Sequence, residues 1–262
     1  MVTREQCRQY RRNGWIKLDQ VASGTALANL QREATAHIAK AAGANTWKDG
    51  IQAYQNSDAF RAVMTVVRDI MKDNPETTRI VHELAAVCRD LEGWRAARFY
   101  SDRLLIKPAA DRGGESTHWH QDFVKWPFDR RGVVTVWLPL VDILRDRGPM
   151  SFLNGSHRLG PLGAVDLMAR DQDLSETLLE EDWEVLHGIS TACPMQAGDA
   201  TVHNGLIMHR AGYNTSAVDR MILAITYFDA DALYNGTSSP ITDGMGLKPF
   251  KPFEHDQFPI LA

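Results

Sequence analysis

After Trp94 the chain is a succession of short apolar runs separated by turn residues. The runs are rich in β-branched and aromatic side chains, and glycine and proline stand between them. They cover residues 103–107, 133–141, 150–153, 200–203 and 221–228. Several short strands joined by turns are typical of a β-sandwich or a jelly roll, in which the strands enclose a common interior. The sequence therefore predicts a mainly β fold for this part of the chain.

Residues 1–98 have mainly a helical pattern. Thr3 followed three residues later by Gln6 fits a capping box, and Pro75 suits the first turn of a helix. The predicted helices begin after Thr3, cover 25–42 and 58–72, and run from 75 to near Gly93, and a short strand at 15–18 follows the first of them.

The change of pattern predicts one domain that spans residues 1–262. Within it we expect a helical support region at 1–98, a jelly-roll core at 99–230 and a C-terminal tail at 231–262. A helix-like acidic insert at 162–188 interrupts the core, and the Pro-rich tail is expected to wrap the surface without regular structure.

The composition is that of an ordinary globular protein. Of 262 residues, 44% are hydrophobic and 24% are charged, and the net charge of −4 gives no indication of a nucleic-acid partner. Three widely separated cysteines do not form a disulfide framework. The polar N-terminus and the absence of an apolar run of about 20 residues predict a cytoplasmic protein with no membrane segment. We expect a monomer or a homodimer.

The segment His118-Trp119-His120-Gln121-Asp122 carries the strongest chemical signal. If it is a strand, positions i and i+2 face the same side, so that His120 and Asp122 can offer a nitrogen and an oxygen to one metal ion. His209, on a later segment, would be the third ligand. Two histidines and one carboxylate leave open coordination positions, as in non-haem iron(II) oxygenases. His118 and His203 remain rival ligands, and we prefer a substrate or supporting role for His118.

Arg220 lies eleven residues after His209 and opens an apolar strand. A buried guanidinium without a partner is costly, so this position needs a ligand that would pair with it. A dicarboxylate co-substrate fits, because the planar guanidinium binds a carboxylate through two parallel hydrogen bonds.

With these residues the chain resembles the phytanoyl-CoA dioxygenase family of iron(II)- and 2-oxoglutarate-dependent oxygenases. The matching segments follow the family's order between residues 100 and 230. They are 106–108, 118–122, Trp137, 148–157, Gly198-Asp199, 209–214 and Arg220. The resemblance implies a double-stranded β-helix core of the cupin-like jelly-roll type. It also implies His120, Asp122 and His209 as metal ligands, and Arg220 as the anchor of the distal carboxylate of 2-oxoglutarate.

Other positions follow from the resemblance less directly. Lys107, Gln121 and Trp137 fall where the co-substrate pocket is often lined, and Thr135 is a candidate to replace a hydroxyl contact, because Arg210-Ala211 stands where the family often has Gly-Ser. Strand parity puts Thr135 and Trp137 on one face and Val134, Val136 and Leu138 on the other. The candidate substrate contacts are Arg103, His118, Phe123, Trp126 and Arg210, and further candidate residues of the pocket mouth are Trp47, Tyr54 and Trp119.

The resemblance implies an enzyme that uses Fe(2+), 2-oxoglutarate and O2 to oxidise a small organic or natural-product substrate. Hydroxylation with release of succinate and CO2 is the expected reaction, and desaturation, epoxidation or rearrangement remain alternatives. Other possible classes are a zinc-dependent hydrolase, since the same ligand types hold zinc with an open position, and a ligand-binding jelly roll that has lost catalysis.

Overall fold

The computed structural model describes residues 2–42, 75–114, 116–130, 132–162, 178 and 180–262. The predicted helix at 58–72, the mouth candidates Trp47 and Tyr54, and most of the insert at 162–188 lie outside the described residues. The helices are α1 (Arg4–Asn13), α2 (Gly24–Ala42) and α3 (Pro75–Glu92), and the strands are β1 (Trp15–Leu18), β2 (Ala97–Lys107), β3 (Thr117–His120), β4 (Val133–Pro139), β5 (Met150–Phe152), β6 (Ala200–Asn204), β7 (His209–Ala211) and β8 (Arg220–Asp229).

The strands form two antiparallel sheets. The larger has the order β1-β6-β4-β8-β2 and the smaller the order β3-β7-β5. Trp137 and Ile222 of the large sheet pack in one apolar cluster with Met150 and Phe152 of the small sheet, so the two sheets face each other. This arrangement confirms the predicted jelly roll, because each sheet buries one face against the other.

The helices cover the outer face of the large sheet. Ile80, Leu84 and Cys88 of α3 share a cluster with Val134 and Val136 of β4. Burying each large aliphatic side chain of this kind contributes about 1.5–3 kcal/mol. The alternation along β4 is as the sequence predicts, since the even-numbered valines face the helices and Trp137 faces the interior.

The start of α1 follows directly from its sequence. Gln6 donates its backbone N–H to the hydroxyl of Thr3 at 3.1 Å, and Thr3 donates its own N–H to the Gln6 side chain at 2.8 Å. This reciprocal pair is the predicted capping box.

The three predicted regions are connected through the large sheet. The support region at 1–98 also supplies β1, which pairs with β6 and forms one edge of the large sheet. The C-terminal tail returns to the start of β2, where Ala97 donates its N–H to the carbonyl of Ala262 at 2.7 Å and accepts one from Leu261 at 2.9 Å. An N-terminal strand and the C-terminal residues are therefore both joined to the sheet through backbone hydrogen bonds.

We expect Gly198→Ala to destabilise the fold. Gly198 has φ 86°, and a Cβ there would lie 1.9 Å from the carbonyl oxygen of Ala22, a backbone atom that cannot rotate away. A positive φ costs roughly 1–2 kcal/mol in an L-residue, and overpacking adds about 1–3 kcal/mol. Urea unfolding should show a clearly lower midpoint.

Gly93→Ala is the matched control. Gly93 also has a positive φ, 74°, but nothing lies within 4 Å of its added Cβ, so only the conformational cost remains. Equal losses of stability in the two variants would contradict the role assigned to the contact between Gly198 and Ala22.

Candidate metal centre and co-substrate pocket

His120, Asp122 and His209 come together at one end of the small sheet. β3 and β7 pair in register at His120 and His209, which places the two imidazole rings 4.1 Å apart. Asp122 Oδ1 lies 3.6 Å from His120 Nε2 and 4.0 Å from His209 Nε2. One ligand atom from each residue lies within 4.8 Å of the other two. Two nitrogens and one carboxylate oxygen thus converge as a metal site requires.

The prediction that His120 and Asp122 lie on the same strand is wrong, although the pair does converge. β3 ends at His120, and Asp122 has φ −70° and ψ −40°, a helical conformation that leads into the 3-10 turn Phe123–Lys125. The chain bends at this point, and the carboxylate reaches the imidazoles from the bend instead of from the strand face.

The two histidines are oriented by backbone carbonyls. His120 Nδ1 lies 2.8 Å from the carbonyl oxygen of His118, and His209 Nδ1 lies 3.0 Å from that of Ile207. A carbonyl oxygen only accepts, so each Nδ1 carries the proton and each Nε2 keeps its lone pair. Both lone pairs belong to the nitrogens that face Asp122. Metal-bound histidines are characteristically fixed in this way, so the residues present fit a divalent metal ion.

The charges also suit a metal. Burial lowers the pKa of His209 well below its usual value, and repulsion from His120 adds to this, so that the ring is a neutral ligand. Burial alone would raise the pKa of Asp122. The neighbouring His209, His120 and His203 outweigh that effect and hold the pKa well below its usual range. An ionised carboxylate beside a neutral imidazole is the state that binds a metal.

Thr135 and His203 lie on the other side of the carboxylate. Thr135 Oγ1 donates to Asp122 Oδ2 at 3.0 Å, and His203 Nε2 lies 3.6 Å from the same oxygen. Thr135 is therefore bonded to the metal carboxylate, whereas the sequence suggested it as a co-substrate contact. Neither His203 nor the other rival, His118, belongs to the metal-ligating group found among the described residues.

Arg220 lies inside the jelly roll at the start of β8 and is only 4% exposed. Its Nη1 donates to the carbonyl of Gly148 at 2.5 Å, while its Nε has no partner among the described residues. The guanidinium carbon lies 5.3 Å from the centre of the Trp137 ring. Burial lowers its pKa to about 10. Such a cation is suited to an anionic ligand.

Lys107 is the neighbour of Arg220 across the sheet. The two residues pair directly between β2 and β8, and Lys107 Nζ donates to the carbonyl of Gly212 at 2.5 Å and to that of Ala211 at 3.4 Å. Trp137 and Lys107 are thus both neighbours of Arg220, as the sequence suggests.

Two predicted site residues are not brought to this pocket. Gln121 is fully engaged, because its amide donates to the carbonyls of Gly160 and Leu206 and accepts from the N–H of Leu162. Arg210 is exposed and faces away from His209, and its guanidinium lies 5.0 Å from the ring centre of Trp119. Trp119 packs with Leu153 and Met208 in a separate cluster, so it belongs to this outer surface.

The other four candidate substrate contacts are exposed or half-buried. Arg103 is exposed and shares the interior face of β2 with Lys107. Phe123 and Trp126 are half-buried against the aromatic cluster around Tyr100 and Phe228. His118 is half-buried on the His120 side of β3. These four remain candidates for substrate contact.

The sequence did not indicate Phe152 as a site residue. It pairs with His209 in the small sheet, and its ring lies 6.2 Å from that of His209 and 5.6 Å from that of His203. Its only sequence signal was its place in the run at 150–153, which predicts a strand but no partner.

Comparison with known proteins identifies the family. The model of the phytanoyl-CoA dioxygenase family matches residues 10–222. The chain belongs to this family. Ectoine dioxygenase of Sphingopyxis alaskensis is 25% identical over 96% of the chain and 82% of its own length. A phytanoyl-CoA dioxygenase domain-containing protein of Danio rerio is 25% identical over 60% of the chain, and the match spans about half, 54%, of that relative.

Solved structures agree with the fold. The 2-oxoglutarate-dependent carbocyclase SnoK from nogalamycin biosynthesis superposes with a TM-score of 0.70 at 25% identity, covering 100% of this chain and 97% of that one. The epimerase SnoN in complex with Fe3+, 2-oxoglutarate and nogalamycin RO gives 0.68 at 26% identity, covering 98% of both. Family and fold confirm the predicted oxygenase class and its cofactors, iron, 2-oxoglutarate and O2. None of the described helices is long and apolar enough to cross a membrane.

Replacing Arg220 by Gln should weaken 2-oxoglutarate binding by roughly 10- to 150-fold. A hydrogen bond to a charged group is worth about 1.5–3 kcal/mol, and about 1.4 kcal/mol corresponds to a factor of ten. Titration of the metal-loaded protein with 2-oxoglutarate under anaerobic conditions measures the effect.

Arg220→Lys is the matched variant for this test. It keeps the charge but loses the paired geometry, so it should fall between wild type and Arg220→Gln. The affinity for the metal alone should not change in either variant. Unaltered 2-oxoglutarate affinity in Arg220→Gln would remove this residue from the co-substrate pocket.

Proposed function

We propose that the chain hydroxylates a small organic molecule, taking one oxygen atom of O2 into the product while 2-oxoglutarate takes the other and becomes succinate and CO2. The observation that carries the proposal is the buried guanidinium of Arg220 on the interior face of the large sheet, which β4 connects to the His-Asp-His group at one end of the facing small sheet. Thr135, which bonds to Asp122, and Trp137, which lies under the guanidinium, are two residues apart on one face of β4.

Each residue has a defined task in this proposal. His120, Asp122 and His209 would hold iron(II) with two imidazole nitrogens and one carboxylate oxygen, a ligand set that leaves positions for the co-substrate and O2. Arg220 orients the distal carboxylate of 2-oxoglutarate. When bound, iron(II) supplies with 2-oxoglutarate and O2 the oxidising power that no side chain of the protein has.

The protein also has to keep the pocket dry. Trp137, Phe152 and Ile222 line the interior with apolar surface and are each at most 3% exposed. Such surroundings strengthen the interaction of the guanidinium with a carboxylate, since water does not compete for it.

The rival classes explain fewer of these features. A zinc-dependent hydrolase would use the same three ligands but would leave Arg220 without an anion. An inactive binding protein would not need both imidazoles held with Nε2 toward the carboxylate. Both features have a use in an iron oxygenase.

The substrate class follows from the accessible side of the pocket. The half-buried rings of Phe123 and Trp126 and the exposed guanidinium of Arg103 suit a small, partly apolar molecule. SnoK and SnoN, which are both from nogalamycin biosynthesis, support a natural-product intermediate as the substrate. We propose the same class here.

Anaerobic mixing of the protein with Fe(II) and 2-oxoglutarate should give a weak charge-transfer band in the visible spectrum. Asp122→Ala should lose it, because the carboxylate ligand is gone, whereas Asp243→Ala, an exposed aspartate outside the site, should keep it. Succinate release in air, stimulated by a substrate from a natural-product collection, then identifies the substrate. An absent band in the wild type, together with hydrolysis by the zinc form, would favour the hydrolase.

A further inference from the structure

His203 is a fully buried histidine beside the metal group that the proposed mechanism does not use. It is 1% exposed, and neither ring nitrogen has a hydrogen-bond partner within normal distance among the described residues. A buried N–H group without a partner costs about 1–3 kcal/mol. A side chain with this cost needs a compensating role, and the carboxylate of Asp122 offers one, because Nε2 lies 3.6 Å from Asp122 Oδ2.

The two oxygens of Asp122 face different surroundings. Oδ1 is the oxygen directed at His120 Nε2 and His209 Nε2, at 3.6 and 4.0 Å. Oδ2 accepts from the Thr135 hydroxyl at 3.0 Å and faces His203. Thr135 and His203 are directly opposite each other where β4 pairs with β6. This pair of facing residues therefore presents two donors to Oδ2, the oxygen that does not face His120 and His209.

We propose that His203 is a positioning residue, whose ring donates its Nε2–H to Asp122 Oδ2 and, together with Thr135, keeps Oδ1 directed at the metal. The inference rests on the proposed metal site and adds how its carboxylate is held. A closure of roughly 0.5 Å brings the 3.6 Å separation into the normal hydrogen-bond range. A carboxylate held at one oxygen binds through the other, so that fewer coordination positions are taken from the co-substrate and O2.

His203 is not a ligand itself in this arrangement. Its Nε2 lies on the Oδ2 side of the carboxylate, and it is outside the group whose ligand atoms lie within 4.8 Å of one another. With the proton on Nε2, that nitrogen has no lone pair for a metal. Phe152, whose ring centre lies 5.6 Å from that of His203, provides an apolar side wall.

The test is metal affinity, measured separately from turnover. Co(II), which does not oxidise under the assay conditions, is titrated into the metal-free protein and followed by its visible d–d absorption. His203→Phe keeps a ring of similar shape and removes the donor. We expect Co(II) to bind about 10- to 100-fold more weakly, the range typical for loss of a group that supports a metal ligand, and the d–d spectrum to change because Oδ2 then has only Thr135 as a donor.

Stability of the metal-free protein separates positioning from packing. Because the 3.6 Å separation of His203 Nε2 from Asp122 Oδ2 is longer than a hydrogen bond, His203→Phe should change the urea midpoint of the metal-free protein little. Thr201→Val is the matched control, because Thr201 lies on the same face of β6, is equally buried, and has an unpaired hydroxyl. This variant should keep wild-type Co(II) affinity and spectrum.

A second pair of variants covers the case that His203→Phe does not fold. Thr135→Val should weaken Co(II) binding in the same direction, Thr135→Ser should restore it, and His203→Gln, whose amide can still donate, should weaken it less than His203→Phe. In the double variant His203→Phe, Thr135→Val the losses should not simply add, since both donors act on one oxygen.

The outcomes distinguish this inference from the proposed function. If the wild type does not bind Co(II), the metal site itself is disproved. If the wild type binds and His203→Phe and His203→Gln keep its affinity and spectrum, His203 is a core residue and the positioning role is overturned. Loss of affinity in Thr201→Val as large as in His203→Phe would also overturn it, because the effect would then come from the strand and not from the donor.

Discussion

The buried carboxylate of Asp122 is the group on which the rest of the site depends. An isolated charge at this depth would be expensive, and only partners that hydrogen-bond to it or attract it make the ionised form stable. The fold supplies these from both sheets: His120 and His209 come from β3 and β7, and Thr135 and His203 from β4 and β6. The metal centre thus lies where the two sheets of the jelly roll meet. It can form only when the strands of both sheets are correctly paired.

The sequence predicted most of the regular structure, because its strands are long enough to show their pattern. β4 and β8 are apolar runs bounded by turns, and the helix starts at Thr3 and Pro75 have recognisable caps. The short strands β3 and β7 were harder to delimit, because three or four residues do not establish a period. The pattern therefore predicts a strand that continues through Asp122, where the structure has a bend. The convergence of His120 with Asp122 was right, but the reason given for it was not.

Some side-chain positions could be predicted from the sequence and others could not, because they depend on different kinds of information. The alternation of side chains along a strand is a local property, and it placed Trp137 correctly. Applied to β7, the same alternation turns Arg210 outward when His209 faces inward. The partners of Gln121 lie on two distant loops, at Gly160 and Leu206, which no local pattern predicts. His203 meets Asp122 because of the register between β4 and β6. Register depends on the whole sheet, so one sequence without its structure leaves it open.

The helices have a further part in the site beyond covering the large sheet. Glu92 at the end of α3 accepts from the Asn204 side chain at 2.7 Å, and Asn204 in turn accepts from the N–H of Leu206 at 2.8 Å. The backbone N–H of Asn204 donates to Gly14, directly after α1, at 2.9 Å. Only residues 205–208 separate this anchor from His209. Because hydrogen bonds from two helices fix the start of so short a connection, the position of the imidazole is set in part by the N-terminal region. This explains why the helical and β parts of the chain cannot be treated as independent units.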